Sequence, residues 1–177
     1  MSSSSSSIIF KQIVIIHGGN DLPKDIAEQL FERKPKEAVA MDVSLRCASN
    51  KPKTLVEEYS TSETLVVFII QTIENSLPTE EGSALIRYLK RKSHASDLLK
   101  DKFQYCVLGV GDSNLLLDRQ TTTAKDCNQV AQQLDSRLES LGGTRFMDIC
   151  IADERTGLQE VEPWIQNFWN VVLEQHK

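Results

Sequence analysis

Thr64-Leu65-Val66-Val67-Phe68-Ile69-Ile70 decides the architecture. The run carries no charge, and its apolar residues do not alternate with polar ones. A strand with one wet face alternates, so a run apolar on both faces belongs to a strand covered on both, in the middle of a parallel sheet. It is far shorter than the ~18 residues of a membrane span. Further β-branched runs lie outward from it at 12–16, 38–43, 105–110 and 146–151.

Helical spacing fills the intervals. The first stretch has Pro23 near its start and Ile26, Ala27, Leu30 and Phe31 on one face. Residues 80–91 turn Leu85, Ile86 and Leu89 inward, and 125–141 align Cys127, Val130, Leu134, Leu138 and Leu141 before a Gly142-Gly143 stop. The last helix begins at Pro163 and buries Trp164, Phe168, Val171 and Val172. Residues 55–59 carry the weakest helical pattern. Five strands interleaved with helices give a doubly wound α/β sheet, with ligand sites beyond the carboxyl ends of the strands.

The chain has 177 residues, 25 acidic against 20 basic, and 40% apolar content, which suits one domain over 8–177 behind a disordered serine tract at 2–7. Its acidic balance, without basic runs, argues against nucleic acid. The composition predicts no membrane segment and no signal peptide. Four cysteines without C-x-x-C or Cys/His pairing exclude a recognisable zinc site and indicate reduced thiols in a cytoplasmic protein.

The loops after the strands carry whatever chemistry there is. His17-Gly18-Gly19-Asn20-Asp21-Leu22-Pro23 lacks both the P-loop and the G-x-G-x-x-G patterns, and reads as a turn with Asp21 or Asn20 capping the helix. The third strand ends at Gln71 without the aspartate of a receiver domain. In Leu108-Gly109-Val110-Gly111-Asp112-Ser113-Asn114 the glycines permit close approach of a flat ligand, and Asp112 or Ser113 offers ring-edge hydrogen bonds. A GDS-type hydrolase is excluded: the motif follows the fourth strand, and no late Asp-x-x-His exists. Lys90-Arg91-Lys92 reads as a solvated helix end, Trp164 and Trp169 as core, and Cys127 as a thiol packed in its helix.

Val107-Leu108-Gly109-Val110-Gly111-Asp112-Ser113, Cys127-Asn128, the stretch from Leu134 to Gly143, Ala152-Asp153-Glu154 and Gly157-Leu158 through Pro163-Trp164 together resemble the flavodoxin-like FMN domains of diflavin reductases, the N-terminal domains of methionine synthase reductases in particular. The resemblance covers nearly the whole chain after the serine tract. It implies a three-layer sandwich with five parallel strands in the order 2-1-3-4-5, FMN as cofactor, and electron transfer with a separate reductase or acceptor protein. The positions it assigns to the cofactor are Gly18, Gly19, Asn20, Gln71, Thr72, Glu74, Leu108, Gly109, Gly111, Asp112, Asn128 and Asp153.

Three departures fall in those loops. The family's phosphate loop, T-x-T-G-x-T, maps onto Gly18, Asn20, Asp21 and Pro23, which removes its hydroxyls and sets a carboxylate where phosphate would sit. The S-T-x-G-x-G loop maps onto 70–75, where one hydroxyl survives and both glycines are gone. The aromatic expected after G-D-S is replaced by Asn114-Leu115-Leu116-Leu117, whose leucines open an insertion, 115–125, expected to fold over the strand ends or to meet a partner. These changes imply weakened FMN binding. The alternative is a cofactor-free interaction module of the same shape. With a single domain, the chain is not expected to oxidise NADPH itself.

Overall fold

The structure is a computed structural model that describes residues 9–74, 76–116 and 123–177. The serine tract and most of the 115–125 insertion lie outside the described residues. Parallel strands β1 (Gln12–Gly18), β2 (Asp42–Cys47), β3 (Thr64–Ile73), β4 (Gln104–Gly111) and β5 (Cys150–Asp153) form one sheet in the order β2-β1-β3-β4-β5. Among the described residues the helices are α1 (Leu22–Glu32), α2 (Pro52–Glu58), α3 (Glu80–Leu89), α4 (Gln129–Ser140) and α5 (Val161–Gln175).

The central run behaves as its composition requires. Leu65, Val67 and Ile69 face a core shared with α1 and α5, while Val66, Phe68 and Ile70 face one shared with α2, α3 and α4. Helix α5 presents Val161, Trp164, Ile165, Phe168, Trp169 and Val172, a complete i, i+3, i+4 stripe. Trp164 stacks on Phe168 at 5.5 Å, and Trp169 Nε1 donates to the Leu30 carbonyl at 3.0 Å, fastening α5 to α1.

Four expectations are corrected. Residues 38–43 do not form the second strand: Lys36–Ala38 is a single 3-10 turn, and pairing starts at Asp42 opposite Gln12. Ala38 and Met41 are apolar because that turn folds under the sheet edge. The charged Arg46 then sits within the edge strand, where Glu58, Tyr59 and Thr54 satisfy its guanidinium.

The fifth strand is not a continuous run over 146–151. Its short leading piece, Thr144–Arg145, pairs with Gln104 and Tyr105, and β5 resumes with Cys150 opposite Leu108, so the register slips by two residues. The slip lets Phe146 and Met147 pack into the α1/α5 core, Phe146 meeting Phe10 edge-on at 5.1 Å. Phe31 is 40% exposed, on the flank of the stripe formed by Pro23, Ile26, Ala27 and Leu30. Helix α5 starts at Val161 rather than Pro163, and Ile165 and Trp169 take the inward places expected of Val171. The stripe of α4 and its Gly142 stop (φ +85°) fall as the spacing predicts, although the helix begins at Gln129 and Cys127 lies in the 3-10 turn Asp126–Asn128 before it.

Candidate functional site at the carboxyl ends of the strands

The loop after β1 is closed by the chain itself. Gly18 and Gly19 are buried. Thr79 donates its hydroxyl hydrogen to the Gly18 carbonyl at 2.9 Å and accepts from the Gly82 N–H at 3.0 Å, so it both holds the loop and caps α3. A Cβ on Gly19 would lie 2.8 Å from the Pro23 ring and 3.2 Å from Gln71 Oε1. His17 Nδ1 bonds the Gly19 carbonyl oxygen at 2.9 Å, an ordinary strand-end role. Asp21 occupies the N-cap position of α1 but makes no side-chain cap, and Asn20 instead donates to Glu81 Oε1 at 2.8 Å. The capping expected of Asp21 or Asn20 is therefore absent.

Beyond its expected end, β3 continues to Ile73 and doubles back, Thr72 pairing with Pro78 and Ile73 with Leu77. Thr72 is buried, and its hydroxyl accepts the Val130 N–H at 3.1 Å, satisfying an orphan donor at the start of α4 instead of facing a ligand. Glu74 lies exposed in the turn with φ +52°.

The glycines of the fourth loop also serve the chain. A Cβ on Gly111 would stand 2.1 Å from the Cys127 carbonyl oxygen, and one on Gly109 would stand 2.7 Å from Ala131 Cβ and 2.8 Å from Asn128 Oδ1. The approach they permit is that of residues 127–131, not of a flat ligand. Asn128 is wholly buried and donates to the carbonyls of Ala124 (2.8 Å) and Ala152 (2.9 Å), and Leu108 lies in the core.

Asp112 accepts the Asn114 N–H at 2.9 Å, and the buried Asp153 accepts from Ser113 N–H (2.9 Å) and Arg155 N–H (3.0 Å), tying the fourth and fifth loops together. Asn128 Oδ1 is buried close by with no hydrogen-bond partner among the described residues.

Charge gathers at this corner. Burial alone would raise the Asp153 carboxyl, but the Ser113 and Arg155 hydrogen bonds and the Arg155 charge outweigh it and leave the group below its usual range. Glu154 is raised by burial and by the charges of Asp112 and Asp153. Burial, with the Asp153 charge behind it, pushes the Cys127 thiol up to about 12, which suits the packed, unreactive cysteine expected from its spacing.

Because the folded state holds Asp153 ionised more firmly than the unfolded chain does, its stabilisation is present above the unfolded value of about 4 and is lost as pH falls through the lowered folded value. Asp153→Asn should therefore cost about 1–2 kcal/mol at neutral pH by urea unfolding, a deficit that closes below about pH 4. A deficit independent of pH would refute the assignment.

Sequence reasoning missed Thr79, Glu81 and two exposed apolar side chains, Ile73 (37% exposed) at the end of β3 and Leu77 (52%) opposite it, which add to Leu115 (55%) of the apolar run after β4 that the sequence marks. The signal available was Leu77-Pro78-Thr79 directly before a helical pattern. These side chains suit one end of a flavin, its flat apolar ring. The loop after β1 does not suit the other end, a phosphate dianion: Asp21 stands at the helix start, Pro23 lacks an N–H, and the Thr79 hydroxyl hydrogen is already donated to the Gly18 carbonyl.

Among the described residues no group of His, Cys, Asp or Glu is arranged to hold a metal ion, and no helix is long and apolar enough to cross a membrane.

The flavodoxin family profile matches residues 23–164. A stretch of 153 residues, 85% of the chain, is 30% identical to the NADPH-dependent diflavin oxidoreductase 1 of Bos taurus, and 154 residues, 86%, are 31% identical to the methionine synthase reductase of the same species. These matches cover only 24% and 20% of those relatives. A flavodoxin from Pseudomonas aeruginosa, solved as a cysteine-to-alanine mutant, superposes with a TM-score of 0.61 over 91% of this chain and 98% of its own, at 14% identity.

Proposed function

Since the chain belongs to the flavodoxin family, we propose that it is an electron-transfer module that takes a flavin at the ends of β1, β3, β4 and β5, receives electrons from a separate reductase and hands them to an acceptor protein. The observation that carries this reading is the apolar trio Ile73, Leu77 and Leu115, exposed at the carboxyl ends of β3 and β4, on a chain whose relatives are named as diflavin and methionine synthase reductases. When bound, the flavin supplies the redox chemistry. The chain supplies position and, through Asp112 and the exposed Glu154, acidic groups beside the site that favour a basic partner surface. FMN is held weakly, because the phosphate end of its site is filled and acidic.

A second reading, a cofactor-free docking module, is favoured by Thr72, Gly109, Gly111 and Asn128, all engaged by the chain's own atoms.

The purified chain incubated with excess FMN should quench the flavin's fluorescence with a midpoint in the micromolar range or above, and should oxidise no NADPH until a reductase is added. A protein that purifies yellow with stoichiometric, nanomolar FMN would contradict the weakened site. No response to any flavin, with or without a phosphate, would favour the docking module.

A further inference from the structure

Two carboxylates flank the loop after β1, one from each helix that borders it. Asp21 stands exposed at the start of α1, its side chain unused by the helix. Glu81, in the first turn of α3, is held over the loop by the hydrogen bond from Asn20 Nδ2, with Glu80 beside it. Beneath them Gly18 and Gly19 are buried, covered by Thr79, Pro23 and Gln71. Lys24 is the one cation over residues 18–25, exposed and followed by Asp25. A dianion entering here would meet more negative than positive charge, no hydroxyl from residues 18–25, and an Asn20 amide already turned to Glu81.

We propose that this loop is set against a 5′-phosphate, so that the flavin this chain prefers is the phosphate-free one, riboflavin, with Asp21 and Glu81 as the residues that set the preference. The proposal rests on the flavin reading above and names its ligand class. Neither carboxylate holds the fold: Asp21 makes no side-chain cap, and a glutamine at 81 would keep an oxygen for Asn20 to donate to. Discrimination here is repulsive. A neutral ribityl terminus escapes a penalty that a phosphate meets.

Titration of the full chain with riboflavin and with FMN, each followed by quenching of flavin fluorescence at low and high salt, tests this. Riboflavin should bind about tenfold more tightly at low ionic strength, and the gap should shrink as salt screens the carboxylates. The double variant Asp21→Asn, Glu81→Gln should raise FMN affinity about tenfold and leave riboflavin affinity within about twofold of its starting value. If the double variant is unfolded by circular dichroism, Glu81→Gln alone should still move FMN in the same direction. FMN binding more tightly than riboflavin, or equal affinities that ignore salt, would overturn the preference while leaving the flavin reading intact. Binding of neither flavin at about 1 mM would remove the flavin reading and the preference with it.

Discussion

Gly111→Ala is expected to destabilise the fold by at least about 3 kcal/mol, more than most single-methyl insertions. The new Cβ would lie 2.1 Å from the carbonyl oxygen of Cys127 and 2.8 Å from its carbonyl carbon, and backbone cannot swing aside as a side-chain tip can. Relief requires residues 126–128 to lift from β4. That turn leads directly into α4, whose Val130, Leu134 and Leu138 fill the second core. Moving it also disturbs the Asn128 bonds to Ala124 and Ala152. Urea denaturation should show the midpoint falling with an unchanged slope. A loss under about 1 kcal/mol would mean that the turn sits less tightly on the strand than described. Gly109→Ala should cost less, because two of the three atoms it meets belong to the Asn128 side chain and the third is the Ala131 methyl group.

Phe168→Ala should cost about 3–5 kcal/mol and lower Tm by roughly 10 °C. The ring is fully buried at the centre of the α5 stripe, stacked on Trp164 and edge-on to Trp169 at 5.1 Å. Its removal opens a cavity between two large aromatics on a rigid helix, which cannot collapse to fill it. The candidate site lies at the ends of the strands rather than on this face, so any flavin affinity in the folded fraction should be unchanged. A parallel loss of affinity would indicate coupling between α5 and the loops.

The architecture was legible because burial on both faces leaves an unmistakable pattern: Leu65 to Ile70 can only be a central strand, and the stripes of α3 and α4 are uninterrupted. Edges were harder to read. Asp42–Cys47 contains Asp42 and Arg46 because an edge strand has one open side, so the more apolar turn before it looked the better strand. Cys150–Asp153 is short and preceded by a register slip that local composition does not encode.

The loops were legible in position and only partly in role. Gly109 and Gly111 announce a close approach, but whether the approaching atoms belong to a ligand or to Cys127 depends on contacts made between separate elements. Thr72 posed the same ambiguity, since a hydroxyl that caps α4 and one that holds a cofactor look identical in sequence. Glu81 was overlooked because it lies 61 residues from Asn20, and only the fold brings them together.

Helix α5 is the last element the described chain brings to its sheet. It follows every strand in the chain, yet with α1 it covers one whole face of the sheet. Without residues 161–172, an assembled sheet would keep only α1 over the face that carries Cys106, Leu108 and Val110. A chain folded that far would be an adhesive slab, protected on one side by α2, α3 and α4 and vulnerable on the other. Aggregation during refolding should therefore depend on how fast α5 arrives, and adding a large excess of a peptide spanning 161–175 to a chain lacking that segment should keep it in solution.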